Sequence, residues 1–470
     1  MTEPELVMDG QDDTIMPDDD TPNFWDKLSP SAMAVLRFVK TFEEGGQLEV
    51  FTEDADFKML RKMVLSYRGS LYLILTRRLE EVVKLGDVPI ISQRDVMSLI
   101  VYLWEENISR LSRTELPFLK AAIRNPGKTL NHIASRTSLS YAQTRRAQKR
   151  LSDSGVLKTG GMLNTHKLGL ERVLVIFESP SLVLSGPYVQ KTLLIDGYSP
   201  LVLIVATIPY KKRSEFLDTI RSFRSSTSSV SAWGLSGGIP KLNERYFNQK
   251  RGWALDLLHF RLMLRKGGNP LILSDATSPV PHEPHGFTYA DVKIIDAIVD
   301  SFGSTAAELV QTTKLSSSTA FRKRAQLLKK EIVLPRARVN IPMLSDRVIC
   351  FLSPDCSGDI IPAWDHLPLT YQSRIQNLEI PSEKKVLLVS ALPAGSGRDL
   401  IDVLDDETSK VHDYSAHLVA AGAGGSSKVT SMYDRRNDQW KWDVSKFFDA
   451  HTYSVVRQAA SPKNIPLDLA

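Results

Sequence analysis

The chain reads as an α+β protein, with tandem winged helix-turn-helix plus ferredoxin-like α/β units behind an N-terminal, mainly helical region. Three observations predict this class. The sequence repeats internally, a helix start signal recurs at the same place in each copy, and strand-like and helical segments alternate in the second half of each copy.

Residues 139–151 read L-S-Y-A-Q-T-R-R-A-Q-K-R-L and residues 315–327 read L-S-S-S-T-A-F-R-K-R-A-Q-L, an offset of 176. Ile133-Ala134 matches Leu309-Val310 at that offset, and E-R-V-L-V-I-F (171–177) resembles D-R-V-I-C-F-L (346–352) at 175. Ala206-Thr207-Ile208-Pro209 pairs with Ser390-Ala391-Leu392-Pro393. A further pattern occupies Gly237, Gly238, Lys241, Tyr246, Trp253 and Asp256, then Gly424, Gly425, Lys428, Tyr433, Trp440 and Asp443, each pair 187 apart. Chance does not readily reproduce six such matches, tyrosine and tryptophan among them.

The repeat divides the chain. Residues 1–22 are an acidic tail expected to be disordered, and 23–111 form the helical region, to which no function is assigned. Residues 112–167 and 287–343 are the two winged helix-turn-helix segments. Residues 168–278 and 344–470 are the two ferredoxin-like domains, and 279–286 (P-V-P-H-E-P-H-G) is the linker.

Each copy opens on a capping-box pattern, Ser112-Arg113-Thr114-Glu115 or Thr288-Tyr289-Ala290-Asp291. Leu116, Leu119 and Ile123, and likewise Val292, Ile295 and Ile298, then mark the buried stripe of a first helix. A short second helix is expected over 130–136 and 305–312. A tight turn follows, and a third helix is capped by Ser140 or Ser316. Three short helices with this turn make the helix-turn-helix pattern. Gly160-Gly161 then suggests the turn of a wing. The remainder of copy one is expected as strand 172–178, helix 188–194, strand 201–208, helix 211–223 and strand 228–234. Copy two is expected as strand 347–352, helix 371–378, strand 385–390, helix 399–404 and strand 417–421. This β-α-β-α-β order is the ferredoxin-like expectation.

Composition narrows the function. The chain carries +5 over 470 residues, but its first 20 hold eight acids and no Lys or Arg; without them the rest carries +13. A basic body suits a polyanionic partner. Two cysteines, Cys350 and Cys356, rule out a disulfide framework and a four-cysteine zinc site. The longest apolar run, 201–210, is too short to span a bilayer, and no basic-then-apolar leader opens the chain. No membrane partner is expected, and the location expected is cytoplasmic, on the nucleoid.

Enzyme chemistry finds no footing. No nucleophile, base and orienting group stand together. Gly395-Ser396-Gly397 lacks the third glycine and the Lys-Ser/Thr of phosphate loops. His282 and His285 sit in the linker without further ligands. No catalytic residue, cofactor or metal is expected. Trp253, Leu257 and Phe260, and Trp440, Val444 and Phe447, follow helical spacing and read as packing.

The third helices carry the chemistry. Candidate DNA contacts are Tyr141, Gln143, Arg145, Arg146, Lys149 and Arg150 in copy one, and Ser317, Ser318, Arg322, Lys323 and Arg324 in copy two, with Lys329 and Lys330 beyond. Cations here neutralise phosphates, whereas residues early in the helix reach base edges in the major groove. Arg suits guanine and Gln suits adenine.

At this point residues 139–157, L-S-Y-A-Q-T-R-R-A-Q-K-R-L-S-D-S-G-V-L, resemble the Lrp/AsnC family of prokaryotic transcription regulators, whose helix-turn-helix ends in a run like L-S-p-s-t-V-r-r-R-v-k-r-L-e-e-s-G-V-I. Residues 315–333 resemble it in the second copy, and N-T-H-K-L-G-L-E-R-V (164–173) looks like the family's join between domains. The departures are two units in one chain, Ala147 in place of a common Arg, and Glu331 in place of the Gly after the third helix. Gly197-Tyr198 echoes the family's G-x-Y-D effector turn, which has no counterpart in copy two. The resemblance implies a ligand-sensing ferredoxin-like domain, hence a small-molecule effector, and units that pair, either as an intramolecular pseudo-dimer or across a homodimer.

The expected function is therefore a DNA-binding transcription regulator acting on double-stranded DNA. The alternatives are a non-sequence-specific architectural DNA-binding protein and a ligand- or partner-binding scaffold. Two recognition helices reading one face of B-DNA need half-sites about 34 Å apart or a multiple of that.

Overall fold

A computed structural model describes residues 24–46, 55–268, 286–354, 357–408, 413–424, 428–443 and 449–460. The acidic tail, the linker up to 285 with both its histidines, Cys356, Gly425, Val444 and Phe447 lie outside the described residues. The protein is mixed α+β and forms two compact units, one ending at Asn107 and one beginning at Ile108.

The first unit is helical. Helices α1 (Pro30–Glu43), α2 (Ala55–Ser66), α3 (Leu71–Lys84) and α4 (Gln93–Ser109) enclose Leu36, Leu60, Met63, Leu71, Leu75 and Ile100. Glu43 caps α3 by accepting from the backbone N–H groups of Leu71 (2.6 Å) and Tyr72 (3.1 Å). Asn107 and Arg68 exchange side-chain and main-chain hydrogen bonds across the α2–α3 turn.

The second unit begins with α5 (Glu115–Arg124), α6 (Leu130–Thr137) and α7 (Tyr141–Ser154); copy two repeats them as α10 (Tyr289–Asp300), α11 (Ala306–Thr313) and α12 (Ser317–Lys329). The turns before α7 and α12 use Ser138 (φ 54°) and Lys314 (φ 57°), equivalent residues in the left-handed region. Ser140 and Ser316 cap the third helices as expected. After α7 the chain turns at Gly155 (φ 82°); after α12 the same turn falls to Glu331 (φ 54°), a conformation that glycine adopts without a Cβ penalty.

The expected wing is absent among the described residues. Gly160 and Gly161 lie inside a strand, β1 (Leu157–Leu163), with no hairpin between them. Its partner is the equivalent strand of the other copy, numbered β10 (Val333–Val339) below β2–β9. The pairing is antiparallel, from Leu157 opposite Val339 to Leu163 opposite Val333. At its centre Gly160 faces Arg336, its own equivalent 176 residues on. A local two-fold axis therefore passes through the ribbon. The glycines serve a close approach. A Cβ on Gly160 would lie 2.8 Å from the Val299 carbonyl oxygen at the end of α10. One on Gly161 would overlap the Val333 side chain and sit 3.1 Å from the Ile298 carbonyl oxygen.

The rest of copy one comprises β2 (Leu170–Glu178), β3 (Leu182–Ser185), β4 (Val189–Ile195), β5 (Leu201–Pro209), α8 (Arg213–Ser222), β6 (Ser229–Leu235), β7 (Ile239–Leu242), β8 (Phe247–Asn248), β9 (Gly252–Trp253) and α9 (Leu257–Lys266). Copy two continues with β11 (Asp346–Leu352), α13 (Ser357–Trp364), β12 (Leu369–Asn377), β13 (Lys384–Leu392), α14 (Ser396–Thr408), β14 (Tyr414–Leu418), β15 (Ala421–Gly424), β16 (Tyr433–Asp434), β17 (Gln439–Trp440), β18 (Asp449–Thr452) and α15 (Tyr453–Ala459). Two expected helices are strands: 188–194 lies largely in β4, and 371–378 lies in β12 up to Asn377. In each, a run that also fits helical spacing finds a neighbouring strand to pair with, β5 or β13, and tertiary pairing overrides the local pattern. In the place that α13 holds in copy two, copy one has β3, paired with β18.

The strand orders β6-β2-β5-β4 and β14-β11-β13-β12 are the same in the two copies, and the two sets join into one curled antiparallel sheet. β12 pairs with both β6 and β7. On the other side β14 pairs with β11 and the following β15 with β4. Consecutive amides complete that join, Val419 N donating to the Arg347 carbonyl and Ala420 N to the Leu194 carbonyl. The sheet thus closes on itself, each copy lending a bent strand to the other and leaving fewer open edges. Alternate residues fill the two faces. Val173, Val175, Phe177 and Ile204 share one core with Phe216 of α8, while Leu174, Leu203, Val205 and Trp233 are buried on the opposite face.

The outer coverings are exchanged. Phe260 and Leu264 of α9, from copy one, pack with Val348, Cys350, Leu388 and Trp364 of copy two. Val429, Met432 and Tyr433 of copy two share one core with the copy-one sheet and with α10, and Trp440 donates from Nε1 to the Leu168 carbonyl (2.7 Å).

Gly161→Ala should lower stability by about 1–3 kcal/mol in chemical denaturation, as an overpacked position does. Gly197→Ala is the control: nothing lies within 4 Å of its Cβ position, and the change should stay within about 0.5 kcal/mol. The exchanged coverings give a second expectation. Proteolytic cleavage within 279–285 should leave the two halves co-eluting in size exclusion, and halves that separate as stable monomers would contradict the exchange.

Candidate nucleic-acid interface

The third helices are positioned by capping acids. In copy one Glu115 accepts from the Ser112 amide (2.8 Å), and its own amide donates to Ser112 Oγ (3.2 Å). The same carboxylate holds Arg150 of α7 at 2.9 Å, with side chains only 18% and 6% exposed. In copy two Asp291 completes a capping box with Thr288 and holds Lys323 of α12 at 2.7 Å. Glu115 and Asp291 are equivalent, but their cations are not. The position matching Lys323 is Ala147, and the position matching Arg150 is Gln326. One constraint, neutralising a largely buried acid beneath the third helix, is met from two different turns of that helix.

These contacts sort the candidate residues. Arg150 and Lys323 face inward, on the acids. Arg324 also turns inward, donating to the Ser304 carbonyl (2.7 Å) and the Phe302 carbonyl (2.9 Å). Gln143 is half-buried, and its Oε1 accepts from the Ser140 amide (2.9 Å), so it caps the helix it was expected to read with. The residues left on the outer faces are Tyr141, Arg145, Arg146 and Lys149 on α7, and Ser317, Ser318 and Arg322 on α12, with Lys329 and Lys330 at its far end. Residues 142, 145, 146 and 149 share a helix face, and so do 318, 321, 322 and 325. The α7 face bears three cations and the α12 face one.

Sequence reasoning missed Phe321, which is 66% exposed in the middle of the α12 face. The repeat offset held the signal, since it aligns Phe321 with Arg145. The Gly-Gly/Tyr/Trp motif ties each three-helix unit to the sheet. In copy one Lys120 of α5 reaches Glu244 (2.7 Å) and Arg113 donates to Gln249 (3.1 Å), beside a shallow cavity of about 390 Å³ lined by Leu116, Pro117 and Phe247. Lys241 meets Asp365 of copy two at 2.8 Å. In copy two Asp296 of α10 accepts from the Val429 amide (2.7 Å) and from Thr430 Oγ1 (2.6 Å), while burial pushes its carboxyl above the ordinary range. No described helix is long and apolar enough to cross a membrane.

Burial pushes Asp291 upward, but the hydrogen bonds from Lys323 and Thr288 outweigh it and leave the carboxyl below its ordinary value. Ionised Asp291 thus favours the folded chain. Its contribution is complete above the unfolded value of about 3.9 and is lost as pH falls through the lower folded value. Asp291→Asn should cost about 1–3 kcal/mol at neutral pH. It should also flatten the loss of stability on acidification below about pH 5, measured by urea unfolding across that range. Equal acid slopes for the two proteins would contradict the assignment.

No family model matches the chain, and no curated protein or solved structure matches it either.

Proposed function

We propose that the protein is a transcription regulator that binds double-stranded DNA through two helix-turn-helix units, with two ferredoxin-like units as the platform that joins them. The observation that carries this reading is the pair of third helices, each anchored from below by a capping acid and each left with an open outer face, in units joined through the β1–β10 ribbon. Arg145, Arg146 and Lys149 are all exposed on one face of α7, where Arg145 and Lys149, one turn apart, repel each other. Set against a phosphate backbone, the same three charges release counterions and gain affinity. The strand order shared by both copies, with two helices between strands in copy two, supports the ferredoxin-like part, as does the likeness of residues 139–157 to Lrp/AsnC regulators. The pairing is then an intramolecular pseudo-dimer. With no wing among the described residues, DNA contact falls to the helices.

Gel shifts across a salt series test the reading. Replacing Arg145, Arg146 and Lys149 together by alanine should weaken binding to any duplex and flatten the slope of log affinity against log salt by about 2–3, since each phosphate contact contributes about 0.9. Arg150→Ala should lower stability while leaving that slope in place, because Arg150 already serves Glu115. Absence of DNA binding, or a slope untouched by the triple substitution, would overturn the proposal.

A further inference from the structure

The two outer faces differ at their centres. On α7 the central position is Arg145; on α12 the equivalent is Phe321, flanked by Ser318 and Arg322 and exposed to 66%. A lone exposed apolar residue is ordinary on a protein surface. This one stands in a restricted place. The inward side of α12 is fully engaged: Ala320 and Leu327 are buried, and Lys323 and Arg324 are tied to α10 and to the carbonyls that follow it. Phe321 therefore lies on the one side of α12 free to meet another molecule. It is the fifth residue of that helix, in the half that reaches base edges when a recognition helix enters the major groove.

Accepting the DNA-binding reading above, we propose that Phe321 is a specificity-determining residue that contacts the 5-methyl group of thymine, so that the half-site under α12 carries a preferred thymine. The thymine methyl is the largest apolar group the major groove offers an aromatic hydrocarbon; apart from the small cytosine C5–H, the base-edge groups there are hydrogen-bond donors and acceptors, which a phenyl ring leaves unpaired. Arg322, the next residue on the same face, supplies the charge that holds the helix to the backbone, and Ser317 and Ser318 are small enough to let the ring approach. At the matching point in copy one Arg145 offers a donor fork and a charge, which suit guanine or a phosphate. The two half-sites are thus unlike in kind: one is gripped by charge, the other is read by an apolar contact.

The test needs no variant of the protein in its first arm. Duplexes recovered by the full-length chain from a random pool are resynthesised with uracil replacing each thymine in turn, which removes only the methyl group. One position in the α12 half-site should lose about fourfold in affinity, the worth of one buried methyl-sized group. With Phe321→Ala, the thymine and uracil duplexes should bind equally at that position, and Phe321→Leu should retain part of the preference. Selective binding with no position sensitive to uracil would overturn the assignment while leaving the DNA-binding function standing. So would a uracil effect that survives Phe321→Ala in a variant with an unchanged circular dichroism spectrum. Failure to recover any duplex, or an unchanged salt slope in the triple variant, would remove the underlying reading and this inference with it.

Discussion

The antiparallel pairing of Leu157–Leu163 with Val333–Val339 sets the terms for the rest of the second unit. Each strand follows a three-helix unit and, taken alone, would expose both its edges. Pairing satisfies the main-chain groups along one edge of each strand. Because Gly160 meets its own equivalent, Arg336, the pairing is centred on a two-fold axis, which places the strands that follow one copy against those that follow the other. The sheet obeys this. β6 and β7 of copy one carry on to β12 of copy two, and β14 and β15 of copy two carry on to β4 of copy one. The coverings obey it too, since α9 lies on the copy-two core and Tyr433 on the copy-one core. Interface burial inside one chain needs no association step, so its stability does not depend on concentration as a homodimer's does.

Much of this was legible. The capping acids, both N-cap serines and the third helices follow from residue type and spacing, because local geometry alone settles them. The repeat gave the number of units and the equivalences used throughout. What was not legible was everything decided between the copies. Gly160-Gly161 has the composition of a turn, and only the approach of Ile298 and Val299 shows why glycine stands there. Tyr371, Ile375 and Leu378 fit a helical stripe, yet Tyr371, Ser373 and Ile375 also alternate, and the choice falls to strand because β13 and β7 lie on either side. The cations of the third helices were legible as charge and illegible as direction. Arg150, Lys323 and Arg324 look like Arg145 and Arg146 in the sequence, and only the positions of Glu115, Asp291 and the Phe302 and Ser304 carbonyls separate the two groups.

The handling of the capping acids shows how a duplicated chain drifts. Leaving either Glu115 or Asp291 uncompensated beneath a packed helix would be costly, so each needs a cation. Copy one draws it from Arg150, late in the helix, and copy two from Lys323, near its middle. Either choice removes one cation from the set that can face outward, and the choices differ, so the outer faces differ as a consequence. A homodimer could not arrive at this state. Its two helices share one sequence, and any change to one face is imposed on the other by symmetry. In a single chain the ribbon and the closed sheet preserve the two-fold where the backbone requires it, and the side chains on the outer faces are released from it. Arg145 and Phe321 occupy equivalent positions on that unconstrained surface, and a protein that gains two unlike faces in this way is suited to a partner that is itself asymmetric.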